Sequence, residues 1–307
     1  MALVLPEPVE LPDNTLLGSA ESGRVKVPWT RPDESATAEQ RSLKLRSWAA
    51  IVVDQEEGRL LYAKNPDDVR SIASITKLMT AMVVLDSGAA LDEYLTISSA
   101  DVDLLKGSSS HLRVGTMLTR RDMLKLALAS SENRAAASLA RSDPRGKAAF
   151  VEAMNRKAAA LGMSDTHFVD PTGLNPDDVS TAYDLALMAD ASYRYLLIRE
   201  FTTLREYRTG GAERIALRQR GASSRRGQAF HNSNGLVWGE GWDIGLSKTG
   251  YISEAGRCLV LQATIAAKPV IIVLLDALGT FSRIADANRI KRWIERLEST
   301  PDGARRM

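Results

Sequence analysis

The sequence predicts an α+β fold: an antiparallel sheet flanked by helices, with a helical subdomain at about 74–200 inserted into it. Two observations carry this reading. Segments rich in aliphatic and β-branched residues stand near both ends of the chain, at 47–54, 59–64, 257–266 and 270–276. Between them the apolar spacing is that of helices, in segments at 78–85, 123–129, 134–140, 145–161 and 182–188. No internal repeat is visible.

The elements follow in order. Residues 1–44, with Pro6, Pro8, Pro12, Pro28 and Pro32, read as an extended, partly disordered leader, with Leu16, Leu17 and Trp29 as its docking points. Ser47–Asp54 is a strand, Gln55–Gly58 a turn, and Arg59–Lys64 the returning strand of a hairpin. Leu78–Leu85 is apolar almost all round, so the helix there is buried, with Gly88 as its stop. Thr119 caps the helix through Met123–Ala129, which ends at Ser130–Asn133, where an alanine-rich helix starts. Residues 145–161 place Ala148, Phe150, Val151, Met154 and Ala158 on one face, and Gly162 closes that helix. Asp170–Pro176 is a turn-rich loop, and Ser180–Asp184 opens a helix with capping-box character. Residues 200–240 show no clear period. A strand at Gly245–Tyr251 leads through Gly256 and then Lys268-Pro269 into a meander, and Ser282 caps an amphipathic final helix. These elements span about 45–298, followed by a tail at 299–307.

Composition excludes several classes. The 307 residues are 44% apolar and 25% charged with a net charge of +2, ordinary for a globular protein and without the basic footprint of a nucleic-acid binder. Arg120-Arg121 and Arg225-Arg226 read as solvated loop charges. One cysteine, Cys258, permits no internal disulfide and reads as a buried core residue. With three histidines beside it, a His/Cys zinc site is poorly supported, and His111, His167 and His231 read as structural. The opening MALVLPEPVELP lacks the basic start of a signal peptide, and no stretch reaches transmembrane length.

The chemistry starts at Ser74-Ile75-Thr76-Lys77, at the first turn of the buried helix. Serine and lysine three residues apart share a helix face. Burial disfavours the charged form of lysine, and a neutral amine beside a hydroxyl can take its proton. Alone the motif is weak: serine could simply cap the helix while lysine snorkels. Two further pieces follow in order, Ser131-x-Asn133 at the helix junction and Lys248-Thr249-Gly250 on a strand. The ordered set is that of penicillin-binding proteins and β-lactamases. Asn133 read only as a cap, or Thr249 only as a strand residue, stays open from the residues alone.

Over roughly 45–298 the resemblance goes further. Ser74–Met82, Ser130–Ala136 and Lys248–Arg257 are similar to the low-molecular-mass penicillin-binding proteins of the S11 type, above all the D-alanyl-D-alanine endopeptidases of the penicillin-binding protein 7 type. The resemblance implies a β-lactamase/transpeptidase-like fold and a cofactor-free serine peptidase acting on peptidoglycan stem peptides in the periplasm, at most loosely attached to a membrane and acylated by β-lactams. It assigns Ser74 as nucleophile, Lys77 as base (its proton affinity lowered by burial and by Lys248) and Ser131 as relay to the leaving amine. Asn133 would hold Lys77 and a substrate carbonyl. Lys248, Thr249 and Gly250 would meet the substrate's carboxylate side, and the N–H groups of Ser74 and Tyr251 would form the oxyanion hole.

Rival readings separate on particular residues. A class A lactamase has a glutamate ahead of an asparagine on a water-positioning loop, and 165–175 offers no such pair; the second motif also reads Ser-Glu-Asn where that class has aspartate. A D-alanyl-D-alanine carboxypeptidase is the nearer rival, but many carry an extra C-terminal domain, and 57 residues follow Gly250 here. Intact Ser74, Lys77 and Lys248 argue against a non-catalytic wall-binding protein. A serine glutaminase fits the Lys-Thr-Gly strand less well.

Overall fold

The computed structural model describes residues 43–209 and 228–299. The leader up to 42, Arg225-Arg226 and the tail from 300 lie outside the described residues.

In chain order, β1 (Ser47–Asp54) and β2 (Arg59–Lys64) form the hairpin, and β3 (Arg70–Ser71) leads to a 3-10 turn, Ala73–Ile75, and then α1 (Thr76–Asp86). β4 (Tyr94–Thr96) and β5 (Met117–Thr119) pair ahead of α2 (Arg120–Ala129), α3 (Asn133–Arg141) and α4 (Gly146–Ala160). β6 (Val179–Ser180) precedes α5 (Ala182–Tyr193) and α6 (Leu196–Thr203), and β7 (Glu206–Arg208) pairs with β8 (Ala229–His231). β9 (Asp243–Ile252), β10 (Gly256–Ile265) and β11 (Lys268–Ala277) form the meander, and α7 (Ser282–Ser299) follows.

The antiparallel sheet runs β2-β1-β11-β10-β9, so the two ends of the described chain meet at its centre, from Ser47 opposite Ala277 to Asp54 opposite Val270. Strand side chains alternate in direction, and both faces of β1 are buried. Ala49, Ile51 and Val53 join the core shared with the helical subdomain, while Ala50 and Val52 pack under α7 with Ala287, Ile290, Trp293 and Ile294. That is why β1 is continuously apolar instead of alternating. Buried Asp286 of α7 ties the two ends polarly, accepting from the N–H groups of Arg46 and Ser47 and from Ser47 Oγ at 2.7–2.9 Å.

The predicted elements are present, with four corrections. Ser74 stands in the 3-10 turn ahead of α1, not in the helix itself. Leu43, assigned to the leader, is buried in the α7-side core. Ser282 is the first residue of α7 rather than its cap, and its hydroxyl turns back to donate to Leu278 O. Arg120, read as a solvated loop charge, is buried: its guanidinium donates to Ala90 O at 3.2 Å and Ser142 Oγ at 2.8 Å and pairs with Glu93. An arginine can enter a protein when its fork of donors is matched, and the loop before β4 supplies the match. Thr119 and Thr181 do cap their helices, accepting from Asp122 N and Asp184 N at 3.1 and 3.0 Å. Cys258 is buried as expected, and burial pushes its thiol up to about 11.

Candidate active site

The site lies where α1, the α2–α3 junction and the end of β9 converge, with the loop 169–178 beneath. Ile72 is followed by Ala73 at φ 48°, a left-handed conformation unusual for a residue with a Cβ. The kink lets the chain turn from β3 into α1 with Ser74 at its apex. Gly250 permits the approach of β9 to that apex, because a Cβ there would stand 2.8 Å from Ile72 O and 3.2 Å from Ser74 N. Gly173 does the same from below: its φ is +77° and a Cβ would lie 1.9 Å from Ala73 O. Gly173→Ala should therefore cost on the order of 3 kcal/mol of stability, read as a lower denaturant midpoint, and depress acylation of Ser74; wild-type values for both would refute the close packing.

Lys77 is wholly buried. Its Nζ lies 2.7 Å from Ser74 Oγ, 2.8 Å from Asn133 Oδ1 and 2.7 Å from Thr172 O. Two of these partners only accept. The third, the serine hydroxyl, can also donate. A neutral amine, with two hydrogens and one lone pair, therefore has one satisfied arrangement: it donates to Asn133 and Thr172 and accepts from Ser74. Burial lowers Lys77 to about 7, against the opposing pull of Asp170, Glu132 and Asp178. The expected help from Lys248 runs the other way. Lys248 is itself held well below its usual value, first by burial and then by the charges of Lys77 and Arg283.

Lys248, on β9, donates to Ser131 Oγ at 2.9 Å and to Thr249 O at 2.9 Å. Ser131 sits at φ 62°, a second left-handed residue, which breaks the chain between α2 and α3. Asn133 is the first residue of α3, not its cap; besides Lys77 it meets Ser108, donating to Oγ at 2.9 Å. Glu132 between them accepts from Ser110 Oγ and His111 N at 2.8 Å and so anchors the loop carrying Ser108.

A cleft of about 530 Å³ opens over this cluster. Of the eight residues singled out by sequence, Ser74, Ser131, Asn133, Thr249, Gly250 and Tyr251 line it, and Lys77 and Lys248 are bonded directly beneath. The structure adds lining residues that the sequence reading missed. Ser108 belongs to the Gly-Ser-Ser-Ser segment, and Ser233, in the polar loop after β8, meets Thr249 with hydroxyl oxygens 2.7 Å apart. Arg283 enters from α7, donating to Gly250 O at 3.0 Å and Cys258 O at 3.3 Å. The run of serines was the available signal for Ser108, and the polar His-Asn-Ser-Asn-Gly loop that for Ser233.

The peptidase family S11 profile, described as D-alanyl-D-alanine carboxypeptidase, matches residues 34–279. The chain belongs to that family. It is 50% identical over 252 residues to a D-alanyl-D-alanine endopeptidase of Pseudomonas aeruginosa, covering 82% of this chain and 78% of that protein. Among solved structures it is similar to the Streptomyces K15 DD-transpeptidase, with a TM-score of 0.73 at 30% identity over 81% of this chain and 97% of the other. It is similar also to penicillin-binding protein D2 of Listeria monocytogenes in its cefotaxime-bound form, with a TM-score of 0.69 at 30% identity over 82% of this chain and 98% of that one. The β-lactamase/transpeptidase-like α+β fold expected from the sequence is the one found.

Proposed function

We propose that the protein is a serine DD-peptidase that hydrolyses D-alanyl-diaminopimelate cross-links of peptidoglycan through an acyl-enzyme on Ser74, and that β-lactams acylate the same serine. One observation carries the reading: the only satisfied arrangement of a neutral Lys77 aims its lone pair at the Ser74 hydroxyl. As Ser74 Oγ bonds to the substrate carbonyl, its proton passes to Lys77 Nζ. The N–H groups of Ser74 and Tyr251 take the developing oxyanion, a reading supported by the close approach of Gly250, the residue before Tyr251, to Ser74 N. Ser131, held by Lys248 Nζ, relays the proton that Lys77 took from Ser74 to the departing amine, which leaves Lys77 neutral. Water then attacks the acyl-enzyme with Lys77 again as base. Asn133, its amide fixed between Lys77 and Ser108, offers the substrate amide a partner, and Lys248, Thr249 and Arg283 make the carboxylate end of the cleft.

The endopeptidase preference follows the relative at 50% identity that bears that name, whereas the family description favours removal of terminal D-alanine. We take 45–298 as the catalytic unit, with 74–200 as its helical subdomain, and the periplasm as its place of work. Among the described residues no helix is long and apolar enough to cross a membrane.

Digestion of purified cross-linked and uncross-linked muropeptides tests the reading. Conversion of dimers to monomers is expected, without release of D-alanine from pentapeptide monomers. D-Alanine released from monomers with dimers intact would establish the carboxypeptidase. Penicillin consumed with both peptides untouched would mean a lactamase. No reaction with peptide or drug would leave a wall-binding protein on this fold.

A further inference from the structure

One buried acid beneath the site has no part in the steps above. Asp178, at the end of the 169–178 loop, is 0% exposed. Its Oδ1 accepts from Val169 N at 2.7 Å and Asp170 N at 3.1 Å, and Oδ2 lies 3.1 Å from Thr76 Oγ1. Its backbone carbonyl accepts from Ile72 N at 3.0 Å. Asp178 therefore reaches both supports of the site through its neighbours. Through Thr76 it reaches Ala73 O, which lies 2.9 Å from the same hydroxyl, and through the loop it reaches the turn that presents Thr172 O to Lys77.

The hydrogen count around Thr76 is informative. Its hydroxyl has one hydrogen, and Ala73 O can only accept. Ala73 O also accepts from Thr76 N–H, so the hydroxyl hydrogen can go to either oxygen: given to Asp178 Oδ2 it suits the carboxylate, and given to Ala73 O it leaves Oδ2 to bring its own proton. Among the described residues no ion pair forms at Asp178 to hold it ionised. Burial, and then the neighbouring Asp170 charge, push it up to about 7, against the hydrogen bonds from Val169, Asp170 and Thr76 that favour its charged form. Lys77 stands at about 7 as well and is drawn upward by an ionised Asp178. The charged groups facing Lys77 are Asp170 and Asp178 from the loop, Glu132 from the α2–α3 junction and Lys248 from β9; Asp178 itself faces Asp170 and Lys77.

We propose that Asp178 is a positioning residue for the acylation step: it braces the Ala73–Ser74 turn and the loop that presents the Thr172 carbonyl, and its charge adds to those of Asp170 and Glu132 in holding the proton on Lys77. An ionised Asp178 draws Lys77 toward its charged form and raises the pH at which it becomes a base, whereas a protonated Asp178 holds the same contacts without that pull. The inference rests on the serine-peptidase reading of Ser74 and Lys77.

The experiment measures second-order acylation by a fluorescent penicillin from pH 5.5 to 9 in wild type, Asp178→Asn and Asp178→Ala, with thermal unfolding of each. Asparagine keeps the acceptor for Val169 and Asp170 and supplies an N–H to Thr76, but it cannot ionise. Its acid limb should move to lower pH, with the largest gain, about twofold, near pH 7 where Asp178 ionises, little change at pH 5.5 where Asp178 is already protonated, and rates that converge by pH 9. Alanine loses the brace too, so its plateau at pH 9 should fall about tenfold or more. A purely structural residue would lower the rate without moving the limb. An unmoved limb in Asp178→Asn overturns the inference while leaving the acylated serine intact; Asp178→Ala with a wild-type plateau overturns the brace. If Asp178→Ala does not fold, Asp178→Asn decides alone. A wild type that takes no penicillin sinks the underlying reading as well, so the two failures are distinguishable.

Discussion

Replacement of Ser74 by alanine should abolish the stable penicilloyl adduct seen by intact-protein mass on the wild type, with no residual labelling at long incubation. The expectation is total because the hydroxyl is the bond-forming atom. Ser131, the nearest alternative, sits by Lys248, but the two partners of Lys248, Ser131 Oγ and Thr249 O, let a neutral amine donate to both, whereas the three partners of Lys77 force its lone pair onto Ser74. Folding should survive, since the Ser74 side chain faces the cleft and alanine tolerates the short turn it occupies. An adduct of unchanged mass on Ser74→Ala would move the nucleophile elsewhere. No adduct on either protein, with the drug intact, would remove the penicillin-binding reading altogether.

How much of this was legible in the sequence depends on what each group contributes. Ser74, Lys77, Ser131, Asn133 and Lys248 could be found because their roles demand particular side chains, and a fixed spacing on a helix or strand brings them together. The sheet was legible for a related reason: β1, β10 and β11 are buried on both faces, and only near-continuous aliphatic runs allow that. Thr172 was not legible as a partner of Lys77, because a backbone carbonyl can come from any residue type. Gly173 beside it did carry a signal, since the loop's approach to Ala73 excludes a Cβ, yet glycine in a Pro-Thr-Gly turn reads equally well as an ordinary turn. Arg283 was hidden by distance: it reaches the cleft from a helix that follows two further strands. Arg120 misled, because an Arg-Arg pair at a helix start looks solvated until the loop that binds it is placed. The β7–β8 pair was missed since three residues per strand are too few to show a period.

Lys77→Met should slow acylation by roughly a thousandfold or more, about 4 kcal/mol of barrier, at little loss of stability. Methionine fills a similar shape and removes a basic group whose charged form the interior disfavours, although it leaves Asn133 Oδ1 and Thr172 O without that donor. Lys77→Arg is the sharper comparison, because guanidinium stays charged at every accessible pH and has no lone pair to offer Ser74. It should be as slow as Lys77→Met although it keeps the charge. The wild type, by contrast, should show a rate that climbs through pH 7. With Lys77 at about 7, the neutral base is the minor form below that pH, so acylation falls as pH drops and levels off above about 8. The sign follows from a lowered lysine: protonation on the acid side removes the base. Both variants should lose this limb, since neither has an amine to titrate. Arginine at 77 with a wild-type rate would mean that positive charge beside Ser74, not its lone pair, drives the reaction, and the base would then have to be sought at Lys248 across the Ser131 hydroxyl.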